Sequence, residues 1–118
     1  RISAARADFL AGHWAAPNAN GEWEILGDPA HKITSATLYR TEEVLACWSA
    51  ITAPVLWVEA ADTDVWRWMG PKEVARLEID RRRQHISRLR CEVIQDAGHM
   101  LHHDQPEALA ALIEEFLP

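Results

Sequence analysis

Ala53-Pro54-Val55-Leu56-Trp57-Val58-Glu59-Ala60 places four consecutive apolar residues behind a proline. The run is short, β-branched and aromatic, which predicts a strand buried on both faces, as in a parallel sheet. A second strand is expected at 90–95, where Cys91, Val93 and Ile94 supply the apolar character. Between them Pro71, as a first-turn residue, opens a charged helix over about 71–88. Val74, Leu77, Ile79, Ile86 and Leu89 give it only a weak apolar stripe, and Arg81-Arg82-Arg83 interrupt it, so two shorter helices are the alternative. After the second strand, Asp104 reads as the cap of a closing helix, Pro106 as its first turn and Glu107 as the capping-box partner. Leu109, Leu112, Ile113, Phe116 and Leu117 then fall on one face.

The order strand, helix, strand, helix specifies an α/β fold. A strand–helix–strand unit is almost always a right-handed crossover between parallel strands. Both strand-end loops then lie on one sheet edge, the carboxyl edge where open α/β sheets build their sites.

Upstream, Thr41 followed by Glu42 and Glu43 predicts a capped helix over 42–49 that buries Val44, Leu45 and Trp48. Residues 15–40 carry Pro17, Asn18, Asn20, Gly21, Gly27 and Pro29, which predict loop with one short strand at 22–26. Residues 2–14 read as a helix, with Ile2, Ala5 and Phe9 at helical spacing.

The 118 residues suit one domain at most, and 48% hydrophobic with 25% charged residues excludes a disordered chain. A net charge of −6 argues against a general nucleic-acid binder. No apolar run is long enough to span a membrane. Cys47 and Cys91 suit a reducing, cytoplasmic setting better than a disulfide scaffold. The start Arg1-Ile2-Ser3-Ala4 lacks both a signal-peptide pattern and an initiator Met, as expected of a piece of a longer protein.

Candidate chemistry gathers after the two strands. Asp62-Thr63-Asp64 follows the first, and Asp96-Ala97-Gly98-His99 follows the second. A carboxylate and a histidine on one edge suit an oriented general base, the acid holding Nδ1–H and leaving Nε2 for a nucleophile. Gly98 suits a sharp turn with positive φ. The plain alternative is a pair of solvated turn aspartates and a loop histidine. His99, His102, His103 and Asp104 are potential metal ligands, but their spacing fits no metal motif, and no metal is assigned. Arg81-Arg82-Arg83 with Arg88 and Arg90 is diluted by Glu73, Glu78 and Asp80 and reads as a solvated helix face.

Residues 51–58, the acidic turn and Asp96-Ala97-Gly98-His99-Met100-Leu101-His102-His103-Asp104-Gln105-Pro106-Glu107-Ala108-Leu109-Ala110 together resemble the C-terminal part of the α/β-hydrolase superfamily. The resemblance covers about 42–118. Residues 1–40, with Trp23, 28–32, Tyr39 and Arg40, look like the end of that family's helical cap, and 41–118 like the C-terminal core. It implies a fragment with two parallel strands, flanking helices and a partial cap. His99 is then the triad base. The family usually shows Gly-x-x-Asp after the acid strand. Here Ala60-Ala61-Asp62-Thr63 puts Thr63 at the acid position, leaving Asp62 and Asp64 as candidates. Relatives with a small hydroxyl residue followed by Asp favour Asp64, while in other relatives the acid comes from an earlier strand.

The family's nucleophile elbow, Gly-x-Ser-x-Gly, is missing: Ser3, Ser35, Ser49 and Ser87 have no flanking glycines. The resemblance thus implies a parent serine hydrolase acting on a small ester or related acyl substrate, with the nucleophile upstream and this chain inactive alone. An upstream Asp nucleophile would mean epoxide or haloalkane chemistry, and a lost triad a non-catalytic binding module. No metal or organic cofactor is implied. Trp66, Trp68, Met100 and Trp23 are substrate-pocket candidates, with Trp14 also in the cap region. Two strands bury too little alone. The open edge of the Val55–Val58 strand is therefore expected to be covered by the missing N-terminal half or a second copy.

Overall fold

The computed structural model describes residues 2–118. Arg1, counted in the 1–40 segment above, lies outside them. The fold is mixed α/β, and the described chain divides into two compact units, 2–39 and 40–118.

In the first unit, helix α1 (Ala4–Trp14) starts at Ser3, whose side chain accepts from the Arg6 N–H. Strands β1 (Ala15–Pro17) and β2 (Trp23–Ile25) pair antiparallel. The Asn18 carbonyl side-chain oxygen closes their turn by accepting from the N–H groups of Asn20 and Glu22. A 3-10 turn follows at Pro29–Lys32, capped by Asp28. The sequence reading expects loop at β1 and at this turn. Three-residue strands are too short to show a period, and Pro17 is tolerated at the end of an edge strand. No side chain of 2–39 is buried.

The second unit is the α/β part. It runs α2 (Thr41–Ser49), β3 (Val55–Ala60), α3 (Trp66–Met69), α4 (Lys72–Arg83), β4 (Leu89–Ile94), α5 (Leu101–Asp104) and α6 (Pro106–Phe116). Strands β3 and β4 are parallel, with Val55 opposite Leu89 and Ala60 opposite Ile94. The Val55 N–H donates to Arg88 O and the Ala61 N–H to Ile94 O, each at 2.9 Å. Odd-numbered amides of β3 therefore face β4, and the period of two turns those of Leu56 and Val58 to the other edge. That edge pairs with no strand among the described residues.

Helices cover both faces. Ala60, Ile94 and Ala97 form the core with Val58, Leu101, Leu109 and Leu112 packed against it, so α6 serves one face. On the other, Trp57 meets Trp48 of α2 edge-on at 5.9 Å. Glu59 there meets Arg76 and Arg83 of α4.

Several local expectations change. Val55 to Val58 is half-buried, not buried on both faces, because the sheet has only two strands. Thr41 is the first helical residue of α2; the cap is Arg40, with no side-chain capping bond. Pro71 is the cap of α4 rather than a first-turn residue, and α4 ends at Arg83 rather than near 88. Asp104 does not cap the closing helix. It ends the one-turn α5, and Gln105 occupies the cap of α6 without a side-chain bond. The positive φ before His99 belongs to Asp96, at 53°, and not to Gly98.

Candidate functional site at the carboxyl edge of the sheet

The loops after β3 and β4 are joined by backbone. The Asp62 N–H donates to Ala97 O at 3.0 Å, a loop-to-loop bond outside the register of the ladder that ends at Ala61–Ile94. Ala97 is fully buried at that seam. The acidic turn and His99 thus share one edge of the sheet.

Side-chain orientations are more particular. The Asp64 carboxylate faces Arg67 one turn on, Oδ2 to Nε 3.2 Å. His99 is exposed, and its ring rests 5.4 Å, centroid to centroid, from Trp68 on α3. Among the described residues it makes no hydrogen bond to Asp62 or Asp64.

The loop that delivers His99 is held at each preceding residue. Asp96 O accepts from Gln105 Nε2 at 3.3 Å. Ala97 O accepts from the Asp62 N–H. The Gly98 N–H donates to Asp104 Oδ2 at 2.8 Å. A Cβ on Gly98 would lie 3.4 Å from that oxygen. From sequence Asp104 reads as a helix cap, because a carboxylate two residues before a proline has the local signature of one; its bond to the Gly98 N–H has no local signal.

A cavity of about 240 Å³ opens along the unpaired edge of β3, between Val58, Ala60, Thr63, Val65, His99 and Leu101 among others. Of the residues singled out from sequence, His99 lines it. Trp66 instead stacks under Lys72, Nζ 4.7 Å from its centroid. Trp68 is 69% exposed and reaches the site through His99. Met100 is exposed at the start of α5. Trp23 belongs to the other unit, on β2, and is 70% exposed.

The histidine cluster spreads apart. The His102 and His103 rings meet at a tilt, centroids 4.0 Å apart, His99 turns to Trp68, and Asp104 turns to Gly98. Among the described residues no three potential ligands converge as a metal site would need.

A serine–histidine pair exists elsewhere: Ser49 Oγ lies 3.1 Å from His85 Nδ1. Leu45 O also lies within hydrogen-bond reach of the Ser49 hydroxyl, at 3.0 Å. This pair ties α2 to the turn after α4.

The arginines of α4 are bound within the fold. Arg81 and Arg82 both hydrogen-bond Glu78, and these two guanidinium groups lower its carboxyl to a pKa of about 2. Arg76 and Arg83 hold Glu59, and Arg83 also pairs with Asp80.

No family model matches this chain, and neither does any curated protein or solved structure.

Proposed function

We propose that this chain is the acid–base part of a serine hydrolase of the α/β-hydrolase type, acting on a small ester or related acyl substrate. His99 is the general base, Asp64 or Asp62 its orienting acid, and the nucleophile comes from outside these 118 residues. The observation that carries the reading is the Asp62–Ala97 backbone bond, which brings the acidic turn and the His99 loop together at the carboxyl edge. The cavity beside His99 gives an acyl group room. In that assembly His99 takes the proton from the serine hydroxyl as it attacks the carbonyl, then returns it to the leaving alkoxide. Water later repeats the cycle on the acyl-enzyme. The carboxylate stabilises the imidazolium between these steps.

The unpaired β3 edge belongs to the same proposal: a strand from the nucleophile-bearing part, or from a second copy, continues the sheet there. Exposed free thiols at Cys47 and Cys91 support a reducing, cytoplasmic setting.

One observation favours a second reading, a hydrolase-like binding module without catalysis. Asp64 is turned to Arg67, and His99 touches an indole instead of an acid. The native-length gene product separates the two. Hydrolysis of p-nitrophenyl acetate, together with labelling by a fluorophosphonate, is the outcome expected of the hydrolase. His99→Ala should then lower kcat about 10⁴-fold with folding retained. Equal turnover in His99→Ala removes His99 from the mechanism. No turnover and no labelling in the wild type leaves the binding module.

A further inference from the structure

The geometry points to Asp104 as a positioning residue for His99, with Gln105 as its auxiliary. The purpose of that positioning rests on the reading of His99 as a base; the placement itself does not. Among the described residues neither makes a hydrogen bond to the imidazole, whose ring contact is Trp68. Both act on the backbone that carries it: Asp104 Oδ2 accepts from the Gly98 N–H at 2.8 Å, and Gln105 Nε2 donates to Asp96 O at 3.3 Å.

The chemistry of the bond explains why a carboxylate sits there. A backbone N–H with an ionised acceptor makes a stronger and shorter bond than one with a neutral acceptor. A Cβ at position 98 would lie 3.4 Å from the same oxygen, an ordinary contact, so the bond itself does not demand glycine there. Asp104 ends α5, and α6 follows after Gln105 and packs Leu109 and Leu112 on the core. The loop before His99 is thereby fastened to the closing helix on one side, through Asp104 and Gln105. Through the Asp62 N–H and Ala97 O it is fastened to the β3 loop on the other. His99 is the first residue past these ties. Its ring is exposed, yet it leaves a fixed backbone and lies against Trp68. A general base needs that combination of defined origin and open access.

The test is heteronuclear NMR of the 118-residue chain. It follows the Gly98 amide and the His99 ring protons, which the Trp68 ring current displaces. In Asp104→Ala the Gly98 amide proton should move upfield and the His99 displacement should be lost, with the His85 signals unchanged. Asp104→Asn, which keeps an acceptor oxygen, should restore most of both. Unchanged His99 signals in a folded Asp104→Ala overturn the proposal. Where Asp104→Ala does not fold, Gln105→Ala reads the same displacement at an exposed bond, and no change there overturns it as well. None of these signals depends on hydrolysis, so failure here is distinct from failure of the hydrolase reading. In an active native-length product, Asp104→Ala should also lower kcat roughly 10–100-fold with KM little changed.

Discussion

Arg83, the last residue of α4, places its Nη1 3.0 Å from Oε1 of Glu59 on β3. Glu59 is 15% exposed and also accepts from Arg76 at 2.7 Å and from the Trp57 indole N–H at 2.9 Å. Three donors satisfy a carboxylate that the sheet face would otherwise desolvate without compensation. Glu59→Ala should therefore destabilise the chain by about 1–2 kcal/mol, since it removes a partly buried acceptor shared by two guanidinium groups and leaves them Asp80 as carboxylate partner. A double-mutant cycle of Glu59→Gln with Arg83→Met, read by urea unfolding, should give a coupling of about 1 kcal/mol. Additive effects would show that the pair is merely adjacent.

Glu78 sets a pH dependence. Its carboxyl falls from 4.5 to about 2 through hydrogen bonds from Arg81 and Arg82. A depressed folded-state value contributes stability that is complete above the unfolded value and is lost as pH falls through the folded one. The stability difference between wild type and Glu78→Gln should thus be constant above about pH 5 and vanish toward pH 2. Glu78 keeps about 30% of its side chain exposed and Arg81 53%, so solvent screening keeps the difference small and high salt should shrink it further. A difference that grows on acidification would contradict the sign.

The turn before His99 distinguishes its two small steps. Asp96 has φ 53°, in the left-handed region, whereas Gly98 does not. A β-branched side chain is poorly tolerated there, so Asp96→Val should cost about 1–2 kcal/mol. Gly98→Ala should stay within about 0.5 kcal/mol, with its Cβ in ordinary contact with Asp104. Thermal or chemical unfolding of both variants gives the ranking, and the reverse order would relocate the strained residue.

Amide hydrogen exchange reads the edge of β3. Val55 N–H is bonded to Arg88 O, while the amides of Leu56 and Val58 face outward. In the dilute chain, Leu56 and Val58 should exchange much faster than Val55 and Trp57. Protection that rises with concentration identifies a second copy as the cover. Protection that appears only in the native-length product identifies an intramolecular strand.

Much of the α/β part was legible because its signals are local. The apolar run 55–58 is marked by its length, β-branched and aromatic make-up and leading proline, and 109–117 by its i, i+3, i+4 face. The strand order alone brings 62–64 and 96–99 to one edge. The unread parts depend on partners distant in sequence. Arg81, Arg82 and Arg83 look like a solvated run, but Arg83 is committed to Glu59 across the crossover. Asp104 has the local signature of a cap, and a backbone N–H six residues earlier wins its carboxylate. Nothing in the composition of 62–64 shows that Asp64 turns to Arg67.

The parallel pairing of β3 and β4 also orders events in time. The β1–β2 hairpin joins neighbours across a short turn and closes in about microseconds. Val55 and Leu89 are paired across an entire crossover, so the sheet forms only after loop closure around α4. During synthesis at roughly 5–20 residues per second, β3 leaves the ribosome on the order of seconds before its partner. Through that interval both of its edges are bare, and the nascent Val55–Val58 run is an open template for any other extended chain within reach.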